Sequence, residues 1–334
     1  MKALFFTDLH VHNYKQFDTD SSRLNNCLRV IDLMFQYAYK HDIETILFGG
    51  DLYDRQKAIP VAVVNGVVAK FTHLFNTYKD IKFVAISGNH DQASANLLHA
   101  PAETSLRHLN TIFENFRLID DYHYTLDIGL QVHGIPYYEY ADDYHKQLDK
   151  VIDLVQAGKA SDTYTRHILL IHQTPDGIMN AGIPMDTNPN DKRYREFEFV
   201  GCGHIHNKQI LTPTFILGGS PIHRDANDIG QDKGFWILDF NGGTKEEPKT
   251  TYKFKSLNNI FPTFKVVESY EEGEELETNS FIIVKPQKRD IIALPTLTDN
   301  FTTDLTQEAL VKNFWQEKDG QNEELLAMGL KFLA

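Results

Sequence analysis

Five short polar motifs, each directly after a stretch that reads as a β-strand, constrain this chain more than any other feature. They are Asp8-Leu9-His10 after Ala3–Thr7, Gly50-Asp51 after Thr45–Phe48, Gly88-Asn89-His90-Asp91 after Lys82–Ile86, His172 after Arg166–Ile171, and Gly203-His204-Ile205-His206 after Phe197–Cys202. Helical spacing separates the first three strands. Leu24, Leu28, Ile31, Met34 and Phe35 recur on one face up to Tyr39, behind a capping-competent Asp20-Ser21-Ser22, and a second helix runs from Pro60 to about Thr77. This β-α-β-α-β rhythm predicts a parallel sheet covered by helices, and such sheets gather their chemistry in loops beyond the carboxyl ends of the strands. Five strand ends therefore deliver polar side chains to one rim.

Singly, each motif is ordinary: Asp-X-His occurs in many chains, and a lone buried histidine is commonly a satisfied core residue. Their shared position at strand ends points to metal. Imidazole and carboxylate together suit manganese, iron or zinc, whereas an all-oxygen set suits magnesium or calcium. The candidate ligands are Asp8, His10, Asp51, Asn89, His172, His204 and His206. Asp51 is the natural bridge, because a carboxylate can place one oxygen on each of two ions. Two ions about 3.5–4 Å apart lower the pKa of a water between them and stabilise the attacking and leaving oxygens of an in-line displacement. Neighbouring glycines let the backbone turn sharply and leave room for a phosphate. The sequence shows no nucleophilic serine and no Walker loop, so the expected attacker is a hydroxide activated by the two metals.

Downstream, Tyr122 to Tyr138 alternates like strand, Asp142 to Gln156 is helical, and residues 173–196 form a long loop rich in Pro, Asn, Asp and Gly. The texture changes after Phe240, where Asn241-Gly242-Gly243 and a charged stretch to Lys255 read as a boundary. Short strands at Phe264–Val267 and Phe281–Val284 follow. A helical tail, Leu305 to Leu333, then clusters Leu310, Val311, Phe314 and Trp315 on one side. The expected division is a catalytic domain over 1–240, a small α+β capping domain over 256–300 and a helical segment over 301–334. Two unpaired cysteines, Cys27 and Cys202, argue against a disulfide scaffold. The absence of a long apolar run or a leader-like N-terminus adds the expectation of a cytoplasmic protein with no membrane partner.

The five motifs resemble those of the calcineurin-like metallophosphoesterases, over roughly residues 1–240. That resemblance implies a four-layer α/β/β/α sandwich, two facing sheets flanked by helices. It implies one metal held by Asp8, His10, Asp51 and His206, and another held by Asp51, Asn89, His172 and His204. His90 would contact the scissile phosphate or protonate the leaving oxygen, stabilised in that role by Asp91. Three further stretches resemble the SbcD-type nuclease subunits, which process DNA ends with an SMC-like ATPase. These are Gly50-Asp51-Leu52-Tyr53-Asp54, Ile135-Pro136-Tyr137, and Gly219-Ser220-Pro221 followed by Asp232-Lys233-Gly234 and an apolar strand. Asp54-Arg55-Gln56-Lys57-Ala58-Ile59 is similar to bacteriophage recombination endonuclease subunits. The likeness implies two Mn²⁺ ions, a DNA substrate and an ATPase docked on the terminal helix. It also implies a DNA-capping role for the small domain and a homodimer formed through helices near residues 60–110.

Two positions depart from the pattern. Many cellular relatives carry a histidine at Asp54, whereas phage-type members share the aspartate. Relatives commonly have glycine after the first motif, whereas this chain reads His10-Val11-His12; His12 reads as an outer ligand, a DNA contact or a surface-loop histidine. Asp54-Arg55 also resembles the phosphate-gripping pair of phosphoprotein phosphatases, which is the alternative enzyme reading. A metal-free scaffold is a third, but such relatives lose ligands and none is lost here. The net charge of −13 sits awkwardly with a nucleic-acid partner. Placement matters more than the total, however, and Lys245, Lys249, Lys253 and Lys255, or Lys285, Lys288 and Arg289, offer basic runs. Tyr137, Tyr138 and Tyr140 read as base-stacking or as half-buried strand aromatics.

Overall fold

The computed structural model describes residues 1–93, 103–119, 123–126, 130–160, 166–176, 187–243, 248–267 and 280–284. In chain order its elements are β1 (Lys2–Phe6), α1 (Ser22–Lys40), β2 (Thr45–Phe48), α2 (Val61–Thr77), β3 (Lys82–Ala85), α3 (Arg107–Ile112), β4 (Phe116–Leu118), β5 (His123–Leu126) and β6 (Leu130–Ile135). There follow α4 (Ala141–Ala160), β7 (Arg166–His172), β8 (Phe199–Gly203), β9 (Gln209–Ile210), β10 (Phe215–Leu217), β11 (Gly234–Gly243), β12 (Pro248–Ser256), β13 (Thr263–Val267) and β14 (Ser280–Val284).

The strands dictate the layering. In β1, Ala3 and Phe5 point one way and Leu4 and Phe6 the other, and all four are fully buried. A strand with no wet face must be covered on both sides. On one side Leu4, Phe6, Ile46, Phe48 and Phe83 pack with Val30, Met34 and Phe35 of α1 and Val67, Phe71 and Leu74 of α2. On the other, Ala3, Phe5, Leu47 and Val84 meet Val132, Ile168, Leu170, Phe199 and Ile216 of a second sheet. That sheet's outer residues, Leu169, Ile171, Val200 and Cys202, pack with Tyr144, Leu148, Val151 and Val155 of α4. Three apolar clusters between four layers give the expected α/β/β/α sandwich.

The first sheet runs β12-β11-β1-β2-β3-β4 and the second β5-β6-β7-β8-β10-β9. Strands β1 to β4 are mutually parallel, as are β6, β7, β8 and β10, so both sheets present carboxyl ends to the same kind of rim. The stretch 241–255, read from the sequence as a boundary, instead carries β12, which pairs antiparallel with β11 from Gly234↔Ser256 to Asp239↔Thr251 and again past a bulge at Gly242↔Lys249. The charged texture has a physical reason: β12 is an edge strand, and Thr251, Lys253 and Lys255 are exposed on it. Outward lysines are a common guard against edge-to-edge pairing.

Of the expected capping domain, the described residues hold the parallel pair β13 and β14. Phe264 and Phe281 of that pair pack on Phe17, and the Arg23 guanidinium lies over both rings at 5.5 and 4.7 Å. The expected terminal helix at Leu305–Leu333, Lys285, Lys288 and Arg289 lie outside the described residues, as does Lys245. No helix among the described residues is long and apolar enough to cross a membrane.

Candidate metal centre

The rim is built from backbone that L-residues rarely adopt. Asp8 (φ 55°), His10 (47°), Asp51 (59°) and His204 (83°) are all left-handed. Such a conformation costs about 1–2 kcal/mol per residue, and strain of this kind clusters where function requires it. The loops after β1 and β2 hold each other in place: the amides of Asp8, His10 and Val11 donate to the carbonyls of Gly50 (2.9 Å), Asp51 (3.0 Å) and Leu52 (2.7 Å). Close approach requires glycine at two places. A Cβ on Gly88 would lie 2.1 Å from Asp51 Oδ1, and Gly50, at φ 98°, faces Gly88 N and His172 Nδ1.

All seven predicted ligands converge. Ligand atoms of Asp8, His10 and His206 lie within 4.8 Å of one another, as do those of Asp51, His172 and His204. His10 Nε2 and His206 Nε2 face each other at 3.0 Å, and His10 Nε2 is 3.6 Å from Asp51 Oδ2. On the other side Asp51 Oδ2 is 3.3 Å from His172 Nε2. Asn89 Oδ1 stands 3.1 Å from that nitrogen and 3.0 Å from His204 Nδ1. Asp51 Oδ2 thus stands between His10 of the first group and His172 of the second, the position a bridging carboxylate needs.

The electrostatics call for cations. His172 Nδ1 is 2.7 Å from the Gly49 carbonyl, which assigns the ring proton there and turns the Nε2 lone pair onto Asp51. A lone pair against a carboxylate needs a proton or a metal between them. Burial disfavours charge on His172, yet Asp51, with Asp8 behind it, overrides burial and pushes the imidazole up to about 9. Asp51 is buried too, but His172 and His10 hold its carboxyl far below the usual range. Burial drives His10 well below its ordinary value and, with His172 beside it, takes His204 down to about 3. Neutral His10 and His204 beside an ionised bridge, with His172 giving up its extra proton to the ion, are a donor set that divalent manganese, iron or zinc would satisfy.

The surrounding contacts redistribute some expected roles. His90, predicted at the phosphate, has its amide on Asp51 Oδ1 (2.8 Å) and its ring Nδ1 on the Asp54 carbonyl (2.5 Å). Its ring is edge-on to His10 with centroids 4.7 Å apart, and one of its nitrogens also lies within reach of the His10 and Asp51 ligand atoms. Asp91, expected to support the His90 ring, does something else. Its buried carboxylate accepts the amides of Asp51 (2.7 Å) and Gly88 (3.1 Å) on Oδ2 and those of Leu52 (3.0 Å) and Tyr53 (3.2 Å) on Oδ1. It clamps the β2 and β3 loops together, because three consecutive amides after β2 and that of Gly88 after β3 leave their strands with no ladder partner.

His12 is neither a ligand nor a surface residue: its Nδ1 meets the His10 carbonyl at 2.6 Å and its buried ring stacks on Tyr14. Tyr137 is half-buried over the His204 ring, Tyr138 is buried, and Tyr140 is exposed. Sequence reading missed the partners of Asp54, whose carboxylate takes Tyr14 Oη–H (2.7 Å) and the Arg224 guanidinium (3.2 Å). It also missed Gln56, which donates to the Asn89 carbonyl at 2.7 Å. Nothing in a linear chain marks the distant Arg224 as a partner; the only available signal was the unusual Asp54 itself.

Two facing sheets with a carboxylate set between two clusters of nitrogen and oxygen donors have the layout of a dinuclear metallohydrolase. The family model of the calcineurin-like phosphoesterases matches residues 1–208, and the chain belongs to that family. Among solved structures it is similar to a protein of Thermus thermophilus (13% identity, TM-score 0.41, covering 65% of this chain and 88% of that one). It is also similar to a dimetal phosphatase from Danio rerio (9%, 0.47, 77% and 96%) and to the Pseudomonas putida nuclease MPE (16%, 0.27, 64% and 66%). No curated protein matches it.

Proposed function

We propose that this chain is a manganese-dependent DNA nuclease subunit that hydrolyses phosphodiester bonds together with an SMC-like ATPase. The observation that carries the hydrolytic reading is the place of Asp51 between His10 of the Asp8/His10/His206 cluster and His172, which stands with Asn89 and His204, with His90 held beside it. The DNA reading draws support from the SbcD-like stretches, the third of which buttresses that rim through both of its parts: the Ser220 amide and Lys233 Nζ donate to the His206 carbonyl, at 3.0 and 2.8 Å.

Asp8, His10, Asp51 and His206 would hold one ion, and Asp51, Asn89, His172 and His204 the other. Such ions, when bound, supply positive charge at the phosphate and lower the pKa of the attacking water. The protein's part is positional. With Nδ1 committed to the Asp54 carbonyl, His90 keeps Nε2 free to donate a proton to a phosphate or departing oxygen, or to take one up. Arg224 holds Asp54, and so fixes the carbonyl that orients His90. The same reading assigns dimerisation to the helices around 60–110, where α2 exposes Val61, and ATPase docking to residues 301–334 in a cytoplasmic protein.

The test is full-length protein with Mn²⁺ or Mg²⁺ on labelled linear and hairpin DNA, with and without a candidate ATPase subunit, and a phosphopeptide in parallel. Manganese-dependent DNA cleavage is expected. DNA left intact while the phosphopeptide is hydrolysed would overturn the proposal in favour of a phosphatase, with the exposed Arg55 gripping the phosphate.

A further inference from the structure

Lys233, in the Asp232-Lys233-Gly234 stretch, is 1% exposed. An ammonium removed from water this completely must have its protons accepted, or the charge is prohibitively costly. It has three acceptors for three protons: the His206 carbonyl (2.8 Å), Asp228 Oδ1 (2.6 Å) and Gln231 Oε1 (2.7 Å). Asp228 is buried as well, and its second oxygen accepts the Arg224 amide at 2.7 Å. The Arg224 side chain runs on to Asp54, whose carbonyl holds His90. One buried ion pair therefore reaches both His206, a candidate metal ligand, and His90 beside Asp51.

His206 ends its motif in a loop, and its side chain is a quarter exposed. The other ligands have anchors of their own: His172 on the Gly49 carbonyl, His204 through its amide on Asp8, and Asn89 through Gln56. For His206 the anchor is its carbonyl, taken by the Ser220 amide and by Lys233.

We infer that Lys233 is a positioning residue for His206 and sets the affinity of one metal ion of the pair, the one shared by Asp8, His10 and His206. This rests on the dinuclear reading of the rim. Groups that orient metal ligands typically alter affinity about 10- to 100-fold when removed. The test is Mn²⁺ titration by calorimetry of the wild-type chain, Lys233→Met, the double variant Lys233→Met with Asp228→Asn, and Asp8→Ala as the reference for loss of that ion.

Lys233→Met alone strands a buried Asp228 charge and can lower stability; the double variant removes both charges and relieves that penalty while leaving the His206 carbonyl without its ammonium. The expected result is one ion bound as in wild type and the other weakened roughly 10- to 100-fold in both variants, with isotherms approaching that of Asp8→Ala. Wild-type affinity for both ions in the double variant, or equal weakening of both ions, would overturn the inference. A wild-type chain that binds fewer than two ions would instead overturn the dinuclear reading on which it stands.

Discussion

Replacing Asp91 with Asn separates two roles that a Gly-Asn-His-Asp motif can give its last residue. In this structure each carboxylate oxygen accepts two backbone amides, Asp51 and Gly88 on one and Leu52 and Tyr53 on the other, at 2.7–3.2 Å. An asparagine amide has one accepting end. Whichever way it turns, its NH₂ faces two buried N–H donors and leaves both unpaired. At about 1–3 kcal/mol per orphaned group the loss is roughly 2–6 kcal/mol. It falls toward the lower half of that range, because the exchange also removes an ionised group from a low-dielectric site. The measurement is urea unfolding of the metal-free protein in chelator, followed by circular dichroism. The expected result is a lower midpoint with an unchanged slope. If Asp91 served the His90 ring instead, the variant would unfold like wild type, within about 0.5 kcal/mol, while turnover fell and the pH–rate profile shifted. That outcome would refute the clamp.

Further predictions concern the rim. Asp8→Ala or His206→Ala should abolish cleavage and remove one bound ion without changing the circular dichroism spectrum, whereas His90→Ala should keep both ions and slow turnover by about 100- to 10,000-fold. Gly88→Ala places a methyl 2.1 Å from Asp51 Oδ1 and 2.6 Å from His172 Cε1, so calorimetry should show both ions weakened through the displaced bridge. In the metal-free chain His172 holds its extra proton up to about pH 9, and a metal must displace it. Apparent Mn²⁺ affinity should therefore rise from pH 7 toward 9, and binding heats near neutrality should vary with the ionisation enthalpy of the buffer. By linkage, a histidine pKa raised from 6.5 contributes stability to the metal-free chain that is present in full below that value and lost as pH rises through about 9. Thermal scans in chelator across that window check the sign.

The strand-end motifs were legible because periodicity and position are local. Alternation in Ala3-Leu4-Phe5-Phe6, an apolar stripe at Leu24, Leu28 and Ile31, and a polar residue beside glycine where each strand stops are all written within a few residues. They were enough to place Asp8, His10, Asp51, Asn89, His172, His204 and His206 on one rim. Local pattern was not enough for β12, whose outward lysines imitate a linker because only one of its faces meets the core.

Nor could it assign Asp91, His12 or Lys233. An aspartate after His90 looks like the histidine's partner until the β2 loop folds beneath it and presents three amides. A lysine in a charged tripeptide looks solvated until the His206 carbonyl and Asp228 close around it. Sequence by itself set seven candidate side chains at strand ends, and those side chains meet in the fold. Tertiary structure decided which charges are buried and what answers them. Desolvation and hydrogen-bond partners depend on segments as far apart as Asp8 and His204, and no local spacing encodes that proximity.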